Sequence, residues 1–145
     1  MKKFLFVLCI FLSACTFPKD PENSYEEAKQ SALQVGLVEN PPYVITLEEQ
    51  PSGSEVEMIR EFATKAGLQV KFFKGSESEL ISKLHKFKLH IVAGGFDKNT
   101  VWSKKAGLTT TYDKQHVFLI PKGENQLLKN IEEYILSKRN RDEQY

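Results

Sequence analysis

The residues able to do chemistry gather in two stretches. In the first, Glu39 and Tyr43 flank Asn40-Pro41-Pro42. A carboxylate there could hold a cation or amine, and a tyrosine ring on a proline turn could stack on a ligand. In the second, Gly94-Gly95-Phe96 ends an apolar run, and Trp102 follows six residues later. Paired glycines allow close backbone approach, so their N–H and C=O groups could face a ligand, with Phe96 and Trp102 as an apolar wall. Each residue also has a structural alternative. Tyr43 could brace its turn, Glu39 could be a solvated loop acid, the glycines could be a tight strand exit, and Trp102 could be core. His85, His90 and His116 match no metal-ligand spacing. No Ser-His-acid order, paired catalytic carboxylate motif, His-Glu-x-x-His or phosphate-cradling glycine loop occurs. The expectation is therefore no metal, no cofactor and no enzyme.

A third stretch carries covalent chemistry. Met1-Lys2-Lys3 is a positive start, Phe4 to Leu12 is an apolar run of nine residues, and Leu12-Ser13-Ala14-Cys15 follows. Nine residues fall short of the about 20 needed to span a bilayer, and suit a signal-peptide core. The last four resemble a bacterial lipobox, in which the cysteine thiol is acylated and the chain is cut before it. Residues 1–14 are thus expected to be a lipoprotein signal, with Cys15 the lipid attachment. The place is the bacterial cell envelope, facing the periplasm or exterior. Thr16 is not an inner-membrane retention aspartate, which favours the outer membrane if there are two.

The full chain has 145 residues, 41% hydrophobic, with 20 Lys+Arg against 19 Asp+Glu and a net charge of +1. That is room for one ordinary domain, and near-neutrality gives no basic footprint for nucleic acid. Two cysteines exclude a disulfide framework. Cleavage leaves residues 15–145, a chain of 131 residues; losing Lys2 and Lys3 takes the charge from +1 to −1. Cys9 departs and Cys15 is consumed, so the folded part keeps no thiol.

These residues must be positioned by the rest. Residues 15–32 read as a polar lipidated tether with Pro18 and Pro21, and a helical turn with a capping box at Ser24-Tyr25-Glu26-Glu27. Strands are expected at Leu33–Val38, Leu68–Phe73, Leu89–Ala93 and Gln115–Ile120. Capping boxes at Ser54/Glu57 and Ser76/Glu79 open two helices, and Gly67 closes the first. A short helix lies between Asn99 and Lys105, and a final helix runs from Glu124 to about Lys138, leaving 139–145 as a tail. The alternation predicts an α/β fold with a mainly parallel sheet covered by helices on both faces. Such sheets bind ligands beyond the carboxyl ends of their strands, which is where Glu39–Val44 and Gly94–Trp102 fall.

Val35-Gly36-Leu37-Val38-Glu39-Asn40-Pro41-Pro42-Tyr43 resembles the opening of type 2 periplasmic solute-binding proteins of the amino-acid-transporter kind (family 3). Gly53-Ser54-Glu55-Val56-Glu57-Met58-Ile59 with Ala63 and Gly67 is similar to their next helix. Leu84 to Gly95 resembles their helix end and Ala-Gly strand, and Leu108 to Tyr112 the segment carrying their Pro-Tyr pair. Gly94-Gly95 with Thr100, Trp102, His116 and Gly123-Glu124-Asn125 resembles a short single-lobe subgroup. The resemblance implies that residues 33–138 form one lobe of a two-lobed binding protein. Its amino-acid binders place an arginine where Val101 stands here, and an aspartate where His90 stands. Lys104 and Lys105 are nearby, but an ammonium lacks the bidentate fork of a guanidinium.

The function expected is a lipid-anchored solute-binding module for a small polar ligand, an amino acid among the candidates, linked to ABC-type transport. Its ligand residues would be Glu39, Tyr43, Gly94, Gly95, Phe96 and Trp102. A single open lobe implies weak binding, and a membrane-protein partner or a homodimer could supply the missing wall. The alternative is a sensory or protein-interaction lipoprotein that uses the lobe as scaffold.

Overall fold

The computed structural model describes residues 20–144. The expected signal segment, Cys15 and the first part of the tether lie outside the described residues. The elements are α1 (Ser24–Gln30), β1 (Leu33–Leu37), α2 (Ser54–Ala66), β2 (Val70–Lys74), α3 (Glu77–His85), β3 (Ile91–Asp97), a 3-10 turn (Val101–Lys104), β4 (Gly107–Leu108), β5 (His116–Ile120) and α4 (Asn125–Asp142). No helix among the described residues is long and apolar enough to cross a membrane.

The strands form one sheet in the order β2-β1-β3-β5-β4. β1 pairs parallel with β2 and β3, and β5 pairs antiparallel with β3 and β4. Four strands therefore run one way and β5 runs back. Alternating side chains send Val35, Leu37, Ile91, Ala93, Phe118 and Ile120 to one face, where α1, α2 and α4 pack. Val92, Val117 and Leu119 go to the other face, with Leu80, Ile81 and Leu84 of α3. Each buried Val, Leu, Ile or Phe among them contributes roughly 1.5–3 kcal/mol. Gly36 lets α3 come close: a Cβ there would stand 3.2 Å from Leu80 Cδ2. The expected α/β lobe with helices on both faces is the observed architecture.

Several local expectations need correcting. Residues 24–30 are a helix and not tether, with Ser24, Tyr25 and Ala28 buried. No side chain caps α1 from within its own turn. Instead Glu124, 1% exposed, accepts the N–H groups of Glu22 and Ser24, both at 2.8 Å. In return Asp20 Oδ1 accepts Gln126 N–H at 2.6 Å at the start of α4, and Asp20 N–H donates to Gly123 O. The two helices thus cap each other across a hundred residues.

At α2 the Ser54/Glu57 capping box does not form. Gly53 is the N-cap, and the N–H groups of Ser54 and Glu55 donate to the carbonyls of Pro42 and Tyr43. Gly53 has φ +112°, and a Cβ there would sit 2.4 Å from Tyr43 O. At α3 Ser76 does accept from Glu79 N–H, but the Glu79 carboxylate pairs with Lys83 and does not reach back. Gly67 closes α2 in the left-handed conformation, as expected. β3 continues through the glycines to Asp97. α4 runs to Asp142, because Arg139 donates to Thr111 O and Arg141 to Glu61, so the segment after Lys138 is not a loose tail.

Candidate functional site

β1 and β3 end side by side, and the segments that follow them form a rim. β5 runs the opposite way, so its first residue, His116, pairs with Asp97 at the same end of the sheet. α2 also begins there, because its first N–H groups are taken by Pro42 and Tyr43.

At the centre lies Glu55, which is fully buried. Its Oε2 accepts Gly94 N–H at 2.8 Å and Gly95 N–H at 3.0 Å, and its Oε1 accepts the Tyr112 hydroxyl at 2.6 Å. Burial pushes the Glu55 carboxyl above its ordinary pKa, against the pull of these three donors and of His116. Burial, followed by the charge and hydrogen bond of Glu55, holds the Tyr112 hydroxyl far above the usual phenol range. The expected use of the glycine N–H groups for a ligand is thereby corrected, since a carboxylate of the chain itself already fills them.

The two glycines face opposite ways. A Cβ on Gly94 would meet Val38 and Phe96, whereas one on Gly95 would lie 2.6 Å from both Asn40 Nδ2 and the Tyr43 ring. Gly95 has φ +65°, so glycine is needed there on both counts. Asn40 Nδ2 donates to Gly94 O at 2.8 Å and locks the Pro-Pro turn onto β3. Tyr43 lies 4.6 Å from the His116 ring, and Tyr112 lies 5.9 Å on from it. His116 Nδ1 is 2.6 Å from Asp113 Oδ2. Burial works against the Asp113 carboxylate, but the His116 and Gln115 N–H groups and the imidazole outweigh it and hold its pKa down. A shallow depression of about 390 Å³ opens beside Asp113, Lys114, Gln115 and His116.

Of the expected ligand residues, Tyr43 and Gly95 come together in this rim. Glu39 is exposed, and its carboxylate accepts the N–H and hydroxyl of Thr46. Phe96 and Trp102 do not form a wall there: both pack in the α3 layer, and Trp102 Nε1 donates to Glu77. The other histidines lie elsewhere. His85 Nδ1 is near Lys105 O, and His90 sits between Gln34 N–H and Glu27. Sequence reasoning passed over Glu55, Asn40 and Asp113. A signal for Glu55 was present: it stands at i, i+4, i+7 with Ile59 and Phe62, on the inward stripe of α2.

Residues 33–143 match the model of the bacterial extracellular solute-binding proteins, family 3. The chain belongs to this family. Among solved structures, it is similar to a point mutant of domain 1 of TmArgBP in its arginine-bound form. That match has 20% identity and TM-score 0.72, covering 81% of this chain and 98% of that one. It is also similar to a mutant of ArgBP from T. maritima, with 12% identity and TM-score 0.74 over 83% of this chain and 95% of that one. An ancestral cationic amino acid solute-binding protein matches at 13% identity and TM-score 0.73, over 81% and 93%. At these identities the likeness is one of fold, and that fold is a single binding-protein lobe. A membrane-bound lytic murein transglycosylase F from Shewanella frigidimarina is 27% identical over 122 residues, 82% of this chain. The chain spans about a quarter of that relative's length.

Proposed function

We propose that this family 3 lobe is a lipid-anchored, extracytoplasmic binding module for a small polar solute, with amino acids among the candidates. The observation that carries the reading is the convergence of Asn40, Tyr43, Gly95 and His116 at the carboxyl ends of β1 and β3. Tyr43 offers a ring, Asn40 an amide, and Glu39 and Asp113 exposed carboxylates for a ligand amine. Gly94 contributes indirectly, its carbonyl holding the Asn40 amide in place. Delivery of solute to an ABC-type importer, without turnover, is the role consistent with the family. Cys15 supplies the anchor, with the outer membrane as its site in a two-membrane cell.

A thermal-shift screen of amino acids, polyamines and small acids at millimolar concentration tests the binding reading. At least one class should stabilise the chain, and Tyr43→Ala should remove the effect. No stabilisation by any of them would overturn the reading. The anchor has its own assay: Cys15→Ser should abolish fatty-acid labelling and release the chain from membranes.

A second reading, a sensory or protein-interaction lobe, is favoured by one observation. Glu55 already fills the N–H groups of Gly94 and Gly95, as a bound anion would. Cross-linking in intact cells to a protein partner, unaffected by solutes, would support it.

A further inference from the structure

The two large apolar residues that stand furthest into solvent among the described residues are Leu47, 88% exposed, and Val101, 81% exposed. Both lie at the rim. Leu47 is at the tip of the loop after Tyr43, held to the end of β2 because Lys74 Nζ donates to the carbonyls of Thr46 and Glu48. Val101 follows β3, and its neighbour Trp102 is tied to Glu77 at the start of α3. The two segments are thus anchored three residues apart, at Lys74 and Glu77.

Their charges are opposite. Around Leu47 stand the acids Glu39, Glu48 and Glu49 against Lys74. Around Val101 stand Lys98, Lys104 and Lys105 against Asp97 and Glu77. Asp97 is partly engaged within its own turn, where its carboxylate accepts Asn99 N–H. One apolar tip thus sits in an acidic surround and the other in a basic surround, both anchored at the corner between β2 and α3. A two-fold axis would bring each onto the other, twice per pair, since in an isologous contact residue i meets j and j meets i.

We propose that the rim is a contact surface for a second copy of this chain, with the Leu47 loop of one copy against the Val101 segment of the other. The pairing buries both tips and matches acid with base. Residues 45–52 and 97–104 make a patch of about sixteen residues per copy, short of the roughly 20–30 of a standard interface, so the dimer is weak. The proposal names the rim's partner and stands whether or not a solute binds there.

The test uses the full chain in membranes. Two differently tagged copies are co-expressed, one carrying Leu47→Cys and the other Val101→Cys, and treated with a short bismaleimide. A cross-linked heterodimer is expected only when both substitutions are present. Glu48→Lys with Glu49→Lys, or Lys104→Glu with Lys105→Glu, should cut the yield at least about tenfold, as like charges then oppose across the contact. Reversing one pair in each copy, so that the charges match again, should restore it. Thermal melts of each variant, all at exposed positions, confirm that the fold is intact. No heterodimer from the cysteine pair overturns the proposal, as does yield indifferent to charge reversal, or capture of Leu47→Cys by a different membrane protein. Solute binding fails or succeeds separately, in the thermal-shift screen.

Discussion

At Glu55 one buried carboxylate receives two backbone N–H groups and a tyrosine hydroxyl, and it joins α2, β3 and the segment before β5. Glu55→Ala would leave all three donors without their acceptor and should cost about 3 kcal/mol, read by urea denaturation. Glu55→Gln keeps an oxygen for the glycines, and the Tyr112 hydroxyl can turn to accept from the amide. The pH dependence separates the two forms further. Because the folded carboxyl is held above its ordinary value of 4.5, its contribution to stability is intact below that value. It is lost as the pH rises through the raised pKa. The stability of the wild type relative to Glu55→Gln should therefore fall as pH rises through this window; a constant difference would contradict the assignment. Of the residues at this centre, Tyr43 and Gly95 were legible from proline-turn and glycine patterns. Glu55 was legible only in part: its spacing with Ile59 and Phe62 marks the inward stripe, but an acid in the first turn of a helix also suits a solvated position beside the helix dipole.

Among the elements, α2, α3 and Gly67 announced themselves through apolar spacing and turn chemistry. α1 did not: its buried side chains are Ser24, Tyr25 and Ala28, too small and polar a stripe to suggest docking. What holds it is the Glu124 carboxylate, a hundred positions away. Glu124→Ala should cost about 2 kcal/mol. In hydrogen exchange, residues 24–30 should lose protection well before the sheet does; simultaneous loss would show that α1 is not a separable unit. The direction of β5 was also hidden, since alternation fixes which face a side chain takes and not which way a strand runs. Between α2 and α4, Glu61 is held down to about 2 by hydrogen bonds from Lys138 first and then Tyr134, with Lys65 adding to them. Its contribution is present above the ordinary carboxylate range and is lost as pH falls towards 2. The side chain is 36% exposed, so solvent screening keeps the cost of Glu61→Gln to about 1 kcal/mol at neutral pH. That difference should vanish in acid melts.

At the scale of the whole molecule, the described residues form one lobe, and among them there is no hinge to close. Solute affinity should fall at about micromolar to millimolar Kd by calorimetry. In small-angle scattering at dilutions where copies are separate, a radius of gyration of about 14 Å is expected from chain length. It should not change on saturation with ligand; compaction would point to a moving part absent from this fold. Of the sheet's two edges, β2 exposes Lys71 and Lys74, charges that discourage strand-to-strand addition. The mutual capping of α1 and α4 has a mechanical side. Asp20, where the described chain begins, is fastened to Gly123 and Gln126 at the start of α4. A pull on the N-terminal end is therefore met first by this clasp and passes into the last helix. β1 and the rim above it lie off that load path, so tension from the proposed Cys15 anchor would be carried without distorting the proposed binding face.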